Sequence, residues 1–336
     1  MATAAAPPGV KGLDLGTSRI VLATLNGQKV GFTPQLNAFV DIPFSRMTEQ
    51  MLKREGILYA VEGAHIYAYG NRADEFAKFI NGDTRRPMQG GLLNPGEPKN
   101  LQMIELLIAH LCGRAAKGEK LCFSVPSAPS EHAADLIFHE RSVLAIVEKL
   151  GYQGQSVNEG LAIVYSELKD ANFTGIGISF GGGMCNICLA YLGLPVLTLA
   201  TTRAGDYIDQ SVASVTGETP TTVRLHKENA EETGFRLNGE GGAIGHALSV
   251  YYQDVVETAA RALEAALRQT KKLPRFTGPI PIVCAGGTTL AGGFLPAMKA
   301  AVAKVELPVG ISDVALVKDP LNTTAKGALV AAMLNM

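Results

Sequence analysis

Apolar and polar positions run along this chain in two rhythms. Over Leu101–Gly113 the apolar residues Leu101, Ile104, Leu107, Ile108 and Leu111 keep the spacing of one helix face. Leu121–Val125 is a short apolar run closed by Pro126, as a buried strand would be. Ser130–Leu150 reads as a helix, with Ser130 placed to cap its start and Gly151 its end. Tyr207–Thr216 and Tyr251–Thr270 have the same helical period. Pro281–Ala285 is a strand running into Gly286-Gly287, and Leu290–Val305 is helical but for Gly292-Gly293. Strands alternating with helices predict an α/β fold built in layers.

One local pattern occurs twice. Gly12-Leu13-Asp14-Leu15-Gly16-Thr17-Ser18 leads into Arg19–Ala23, and Gly177-Ile178-Ser179-Phe180-Gly181-Gly182-Gly183 leads into Met184–Ala190. Each is a short apolar strand, a glycine turn and a second β-rich strand, hence a hairpin. Turns of this kind leave backbone N–H groups free and let a phosphate approach the main chain closely. Two facing turns predict a site for the two ends of a polyphosphate. No G-x-x-x-x-G-K-[S/T] loop is present, which excludes the P-loop class, and no G-x-G-x-x-G follows a strand.

Composition narrows the picture. A chain of 336 residues suits two domains of about 150 residues each. Lys plus Arg (30) nearly cancel Asp plus Glu (31), so no global field would hold nucleic acid or an anionic membrane. Five cysteines, an odd number, argue against a disulfide framework and for a reducing, cytoplasmic compartment. Cys185 and Cys188 have a zinc-like spacing without a second Cys/His pair, so strand packing is expected. His132 and His139 are expected to be satisfied or exposed rather than ligands. Met1–Val10 has no charge before Lys11 and two prolines, which excludes an amphipathic membrane anchor. Direct membrane binding is therefore not expected.

In order, Asp14-Leu15-Gly16-Thr17, Arg86-Pro87-Met88-Gln89-Gly90-Gly91-Leu92-Leu93, Ser124-Val125-Pro126-Ser127, Val157-Asn158-Glu159-Gly160, Gly181–Gly183, Val223–Glu228, Ala285–Leu290 and Asp319–Ala328 resemble motifs of the actin/heat-shock-chaperone/sugar-kinase ATPase superfamily. The likeness is closest to the MreB-type bacterial actins and covers nearly the whole chain. It implies an actin-like two-lobed fold: duplicated ribonuclease-H-like α/β halves, each with a small inserted subdomain, around a nucleotide cleft. The first lobe would take residues 9–155 plus 320–336, with an insertion at about 31–71. The second would take 156–319, with an insertion at about 211–253.

The resemblance also implies ATP or ADP with Mg²⁺ in the cleft. Asp14 would hold Mg²⁺ through water; Gly16, Thr17 and Ser18 would bind phosphate at the first turn, and Gly181, Gly182 and Gly183 at the second. Glu159 would orient the attacking water as the catalytic carboxylate, or else simply favour the helix dipole. Gly205 and Asp206 would meet ribose or phosphate, unless Asp206 is only an N-cap. Lys227 and Glu228 would clamp the nucleoside, or lie on a solvated helix face. Gly286, Gly287 and Thr288 would approach the base and ribose.

Two departures stand out: Gly160 replaces the usual Pro, and Ser179 replaces the usual Asp. A serine lacks the charge that positions metal or lytic water, so binding with slow hydrolysis is expected. The function implied is an ATP-binding, filament-forming cytoskeletal protein. The alternatives are a non-polymerising scaffold or chaperone-like ATPase and a small-molecule kinase, the latter disfavoured by the chain length.

Overall fold

The computed structural model describes residues 9–80, 82–127, 133–233 and 235–334. In the first half, β1 (Val10–Leu15), β2 (Arg19–Asn26) and β3 (Lys29–Leu36) form an antiparallel meander. A small unit follows, made of β4 (Phe39–Pro43), α1 (Arg46–Arg54), β5 (Leu58–Glu62), β6 (His65–Tyr69) and α2 (Ala73–Phe79). The hairpin β7 (Met88–Gln89)–β8 (Leu92–Leu93) leads to α3 (Asn100–Cys112), β9 (Lys120–Val125), α4 (Ala133–Lys149) and β10 (Gln153–Asn158). The second half opens with α5 (Glu159–Glu167), then β11 (Gly175–Phe180), β12 (Cys185–Tyr191) and β13 (Leu194–Thr201). Next come α6 (Gly205–Thr216), α7 (Pro220–Glu228), α8 (Ala230–Thr233) and the long α9 (Gly242–Gln269). The chain closes with β14 (Ile280–Ala285), α10 (Phe294–Ala303), β15 (Ile311–Leu316) and α11 (Thr323–Leu334).

The two large sheets have the same plan. One runs β3-β2-β1-β9-β10 and the other β13-β12-β11-β14-β15, each an antiparallel meander on one side and parallel strands on the other. Their hairpin turns close alike: Gly16 N–H donates to Arg19 O at 2.9 Å, and Gly181 N–H to Met184 O at 3.0 Å. The sequence echo is thus a structural duplication, and the fold is the two-lobed α/β arrangement expected. β3 belongs to the first large sheet, so the separate small sheet β4-β6-β5 begins only at Phe39, later than the expected insertion at about residue 31.

Four apolar cores follow from this plan. The outer face of the first sheet packs under α3 and α4, with Leu13, Leu15, Phe123, Ile104 and Val147 at the centre. The outer face of the second packs under α6, α9 and α10 around Ile178, Ile208, Leu248 and Phe294. The small sheet has its own core against α1 and α2. Between the large sheets lie α5 and α11, in a core rich in small residues such as Ala162, Ala325, Ala328 and Ala332. Strand β12 has residues in both neighbouring cores, which explains its nearly continuous apolar run.

Glycines set the depth of the helices in that central layer. A Cβ on Gly177 of β11 would run into the Gly160 carbonyl of α5; one on Gly160 would meet Cys188 N at 2.6 Å. In the first half, a Cβ on Gly12 of β1 would collide with the α11 backbone at Leu329 and Ala325. Gly12 and Gly177 each stand two residues before the site residue of their strand, Asp14 or Ser179. Gly160 is therefore a packing requirement: any Cβ there, including a proline's, would hold α5 off the sheet.

Several sequence expectations shift. Ser130, proposed as an N-cap, and His132 lie outside the described residues, as do Met1–Pro8; α4 is described from Ala133. Helix α9 starts nine residues before Tyr251, and α10 starts only at Phe294, after a 3-10 turn over Gly287–Leu290. His139 is neither exposed nor satisfied: it is fully buried, has no hydrogen-bond partner among the described residues, and burial lowers its pKa to about 4. Cys185 and Cys188 face different cores, so they cannot share a metal. Among the described residues no helix is long and apolar enough to cross a membrane.

Replacing Gly177 by alanine is expected to cost about 2–4 kcal/mol, because backbone rather than a yielding side chain opposes the new methyl. Gly278, which has nothing within 4 Å of its Cβ position, serves as the control, with a change within about 0.5 kcal/mol. Denaturant unfolding reads both, and an unchanged midpoint for Gly177→Ala would refute the packing account.

Candidate functional site

The two glycine turns meet at the open edge between the sheets. A Cβ on Gly183 would lie 2.5 Å from Gly91 N and 2.6 Å from Thr17 Oγ1, so the second turn abuts both the first turn and the β7–β8 hairpin. The carbonyls of the second turn are used behind it. Gly181 O accepts from Gly205 N–H at 3.0 Å and from the Thr288 hydroxyl at 2.9 Å, while Gly182 O accepts from Asp206 N–H at 2.8 Å. Among the described residues, the N–H groups of Thr17, Ser18, Gly182 and Gly183 have no backbone acceptor. Four free amides on two facing turns form a cradle for a polyanion.

Two carboxylates stand beneath this cradle. Asp14, at the end of β1, accepts from the Ser124 hydroxyl at 2.8 Å. Glu159 opens α5, whose start is capped by Asn158 accepting from Leu161 N–H at 3.2 Å. Its Oε2 accepts from Asn186 Nδ2 at 3.0 Å, and the Ser179 hydroxyl also bonds it. Asn186 lies directly opposite Ser179 in the β11–β12 register. Its other amide atom, Oδ1, accepts from Ser127 N–H at 2.7 Å, and Ser127 Oγ accepts from Asn158 Nδ2 at 2.8 Å. A buried polar chain thus runs from the end of β9 to Glu159. Burial raises the Asp14 pKa to about 6, the Ser124 hydrogen bond and Arg19 opposing it. Burial and then the Asp14 charge raise Glu159 to about 8, against the bonds from Ser179 and Asn186. Two buried carboxyls this close cannot both ionise cheaply without a cation.

The remaining expected residues divide. Thr17 is buried and its hydroxyl already accepts from Gly91 N–H at 2.9 Å, so its backbone is what faces the cradle. Gly205 and Asp206 adjoin the second turn, and Asp206 is not an N-cap: that position is Ala204, and Asp206 sits in the first turn of α6. Lys227 does not reach outward. It pairs with buried Asp209 at 2.7 Å and donates to Gly205 O at 3.1 Å, fastening α7 to α6. Glu228 is exposed beside it. Gly286 has φ +99°, and a Cβ there would strike the Phe180 carbonyl, so only glycine fits; Gly287 has room, with Leu321 3.6 Å away. The Thr288 hydroxyl supports the second turn, as above.

Ser124, Ser127, Asn186, Asp209 and Arg86 were given no individual role by the sequence. A signal existed for Asn186: a lone amide in an apolar strand, in register with Ser179. Ser127 and Arg86 stand in the motifs quoted above, but Asn186 and Asp206, which they meet, come from the other half, so chain order alone gives neither a role.

The raised carboxyls give a test. Below about pH 4.5 Glu159 is protonated in folded and unfolded chains alike; between about 4.5 and 8 the unfolded chain releases the proton first, so stability falls as pH rises. Glu159→Gln keeps an acceptor for Asn186 and cannot ionise. It is expected to change ligand-free stability little at pH 4.5 and to raise it by on the order of 2 kcal/mol at pH 8. Equal effects at both pH values, measured by denaturant unfolding, would contradict the buried-carboxyl account.

Among solved structures, the MamK double helical filament is similar over 96% of this chain and 98% of that one, with 20% identity and a TM-score of 0.71. MreB5 of Spiroplasma citri bound to AMPPNP covers 98% and 97%, with 14% identity and a TM-score of 0.68. The ethanolamine utilization protein EutJ from Carboxydothermus hydrogenoformans covers 98% and 91%, at 16% identity and a TM-score of 0.53. These likenesses show that the chain has the two-lobed fold of MamK and MreB5. No curated protein sequence matches the chain. The family model described as Volactin matches residues 10–332, nearly the whole described structure, and the chain belongs to the Volactin family.

Proposed function

We propose that this protein is an ATP-binding, actin-like filament protein of the cytoplasm with slow ATP hydrolysis. The observation that carries the reading is the pair of duplicated turns, whose free amides converge above Asp14 and Glu159. A triphosphate matches four amide donors on two turns. Mg²⁺ fits the same place on chemical grounds. Two buried carboxyls with raised pKa values favour a cation, yet no group of three or more His, Cys, Asp or Glu among the described residues could hold a metal by itself. Asp14 would hold the ion through water, and the ion would neutralise phosphate charge. Glu159, oriented by Asn186 and Ser179, would accept a hydrogen bond from the attacking water. The structure of MreB5 with bound AMPPNP supports the nucleotide part.

Ser179 supports the slow step. It gives Glu159 a hydrogen bond but brings no charge of its own. Five buried free cysteines agree with a reducing compartment.

For assembly, the MamK filament is one support and the surface is another. The small unit emerges at the phosphate-turn end, where Asn37 N–H bonds Ser18 O. Between α1 and α2 it carries a cavity of about 840 Å³ lined by Ile42, Met47, Met51, Phe76 and Phe79 among others, with Met47 82% and Phe79 75% exposed. At the far end of the second sheet, the β12–β13 turn presents Leu192 and Leu194, and Leu192 is held at φ +52°. An exposed leucine in the left-handed region is costly unless something else favours it. An apolar groove at one end and an apolar tip at the other suit head-to-tail association, which extends without closing.

Two measurements test this. Wild type with ATP and Mg²⁺ is expected to pellet and to show filaments by negative-stain microscopy, while Leu194→Asp binds nucleotide but stays in the supernatant; monomers under every condition would favour the non-polymerising scaffold. In single-turnover phosphate release, Ser179→Asp is expected to exceed wild type by about tenfold, and Glu159→Ala to fall below it. Brisk wild-type turnover with no gain from Ser179→Asp would refute the slow-hydrolysis reading.

A further inference from the structure

The mouth of the cleft holds one more charged group. Arg86, just before β7, donates from Nη1 to Ser18 Oγ at 3.1 Å, and the same nitrogen lies 3.6 Å from Asp206 Oδ1. Ser18 belongs to the first turn, Asp206 to α6 behind the second. Both acceptors close on one spot: a Cβ on Gly182 would lie 3.1 Å from Ser18 Oγ and 3.4 Å from Asp206 Oδ1. The guanidinium therefore stands where the free amides converge.

Its neighbour shows what a fixed arginine looks like in this fold. Arg85 grips Glu97 with two nitrogens at 2.6 and 2.8 Å, adds Asp41 at 3.0 Å, and lies over the Phe39 ring. Arg86 has none of this. It is no more exposed than Arg85, but it touches Asp206 through one nitrogen at the long end of ion-pair distance and makes no bidentate contact among the described residues. Adjacent arginines thus divide into one that is structural and one that is held loosely at the site.

We propose that Arg86 reads the terminal phosphate of the bound nucleotide and that Asp206 is its resting partner. This rests on the nucleotide reading above and adds the residue that tells triphosphate from diphosphate. Without a terminal phosphate, Arg86 bridges the halves by pairing with Asp206. A terminal phosphate offers several oxygens to a planar fork, a stronger acceptor than one carboxylate oxygen at 3.6 Å. Arg86 then exchanges partners, and Asp206 loses its counter-charge. The link between the halves passes from a direct ion pair to one through the nucleotide. No bond is made or broken in the exchange.

Calorimetric titration of ATP and of ADP, each with Mg²⁺, into wild type, Arg86→Ala, Arg86→Lys and Asp206→Asn tests the assignment. Arg86→Ala is expected to weaken ATP about tenfold and ADP less than twofold, with Arg86→Lys between. Asp206→Asn, which frees Arg86 and removes a like charge, is expected to tighten ATP several-fold, a gain that misfolding cannot produce. Equal losses for ATP and ADP in Arg86→Ala, or no gain in Asp206→Asn, overturn the proposal while leaving nucleotide binding intact. A wild type that binds neither nucleotide overturns both readings.

Discussion

Close backbone contacts at a few glycines govern the rest of this protein's architecture. Helix α5 lies on β11 through Gly160 and Gly177, and α11 lies on β1 through Gly12. Without a Cβ at these points the helices sink into the sheets, and two layers of helix fit between two sheets as one core. The depth of α5 also decides where its first residue ends up. Glu159 reaches the cleft because the helix it opens is pressed against β11 one residue later. Packing and site are therefore the same constraint seen at two positions.

That constraint has an electrostatic consequence. Driving α5 inward buries Glu159 beside Asp14, and among the described residues neither carboxyl has an ion-pair partner; Ser124, Ser179 and Asn186 offer only neutral donors, and Arg19 offsets the burial of Asp14 only in part. A site with uncompensated buried acid is one the fold holds at some cost to its own stability, as functional sites commonly are. Ser179 limits that cost. A third carboxylate at its position would face Glu159 directly, so the serine trades charge at the site for an easier ligand-free state.

Much of this was legible in the chain. The duplicated G-x-[D/S]-x-G pattern encodes both the turn and the helix contact, so the halves, their hairpins and the places of Asp14 and Ser179 on the two strands could be read without coordinates. What could not be read shares a physical cause: it depends on the halves meeting. Lys227 looked free because Asp209, its partner, is eighteen residues away on another helix. Asp206 looked like a cap because the true N-cap, Ala204, has no side-chain acceptor to mark the start of α6. The polar chain through Ser127 and Asn186 joins strands of different sheets, and local periodicity carries no information about such pairs. The start of α9 was hidden for a different reason: Gly242 and Gly245 weaken its first turns as a helix signal, and the tertiary contacts of Ala247 and Leu248 restore it.

The composition of the central layer bears on mechanics. Its helices meet largely through alanine and glycine, with few long side chains to interlock across the seam. Ridges and grooves resist sliding because knobs must climb out of holes; a nearly smooth face resists only being pulled apart. Such a seam sets how closely the two sheets approach: a Cβ on Gly327 of α11 would run into the Ala162 carbonyl of α5, so the spacing of the halves is fixed by the smallest residues between them.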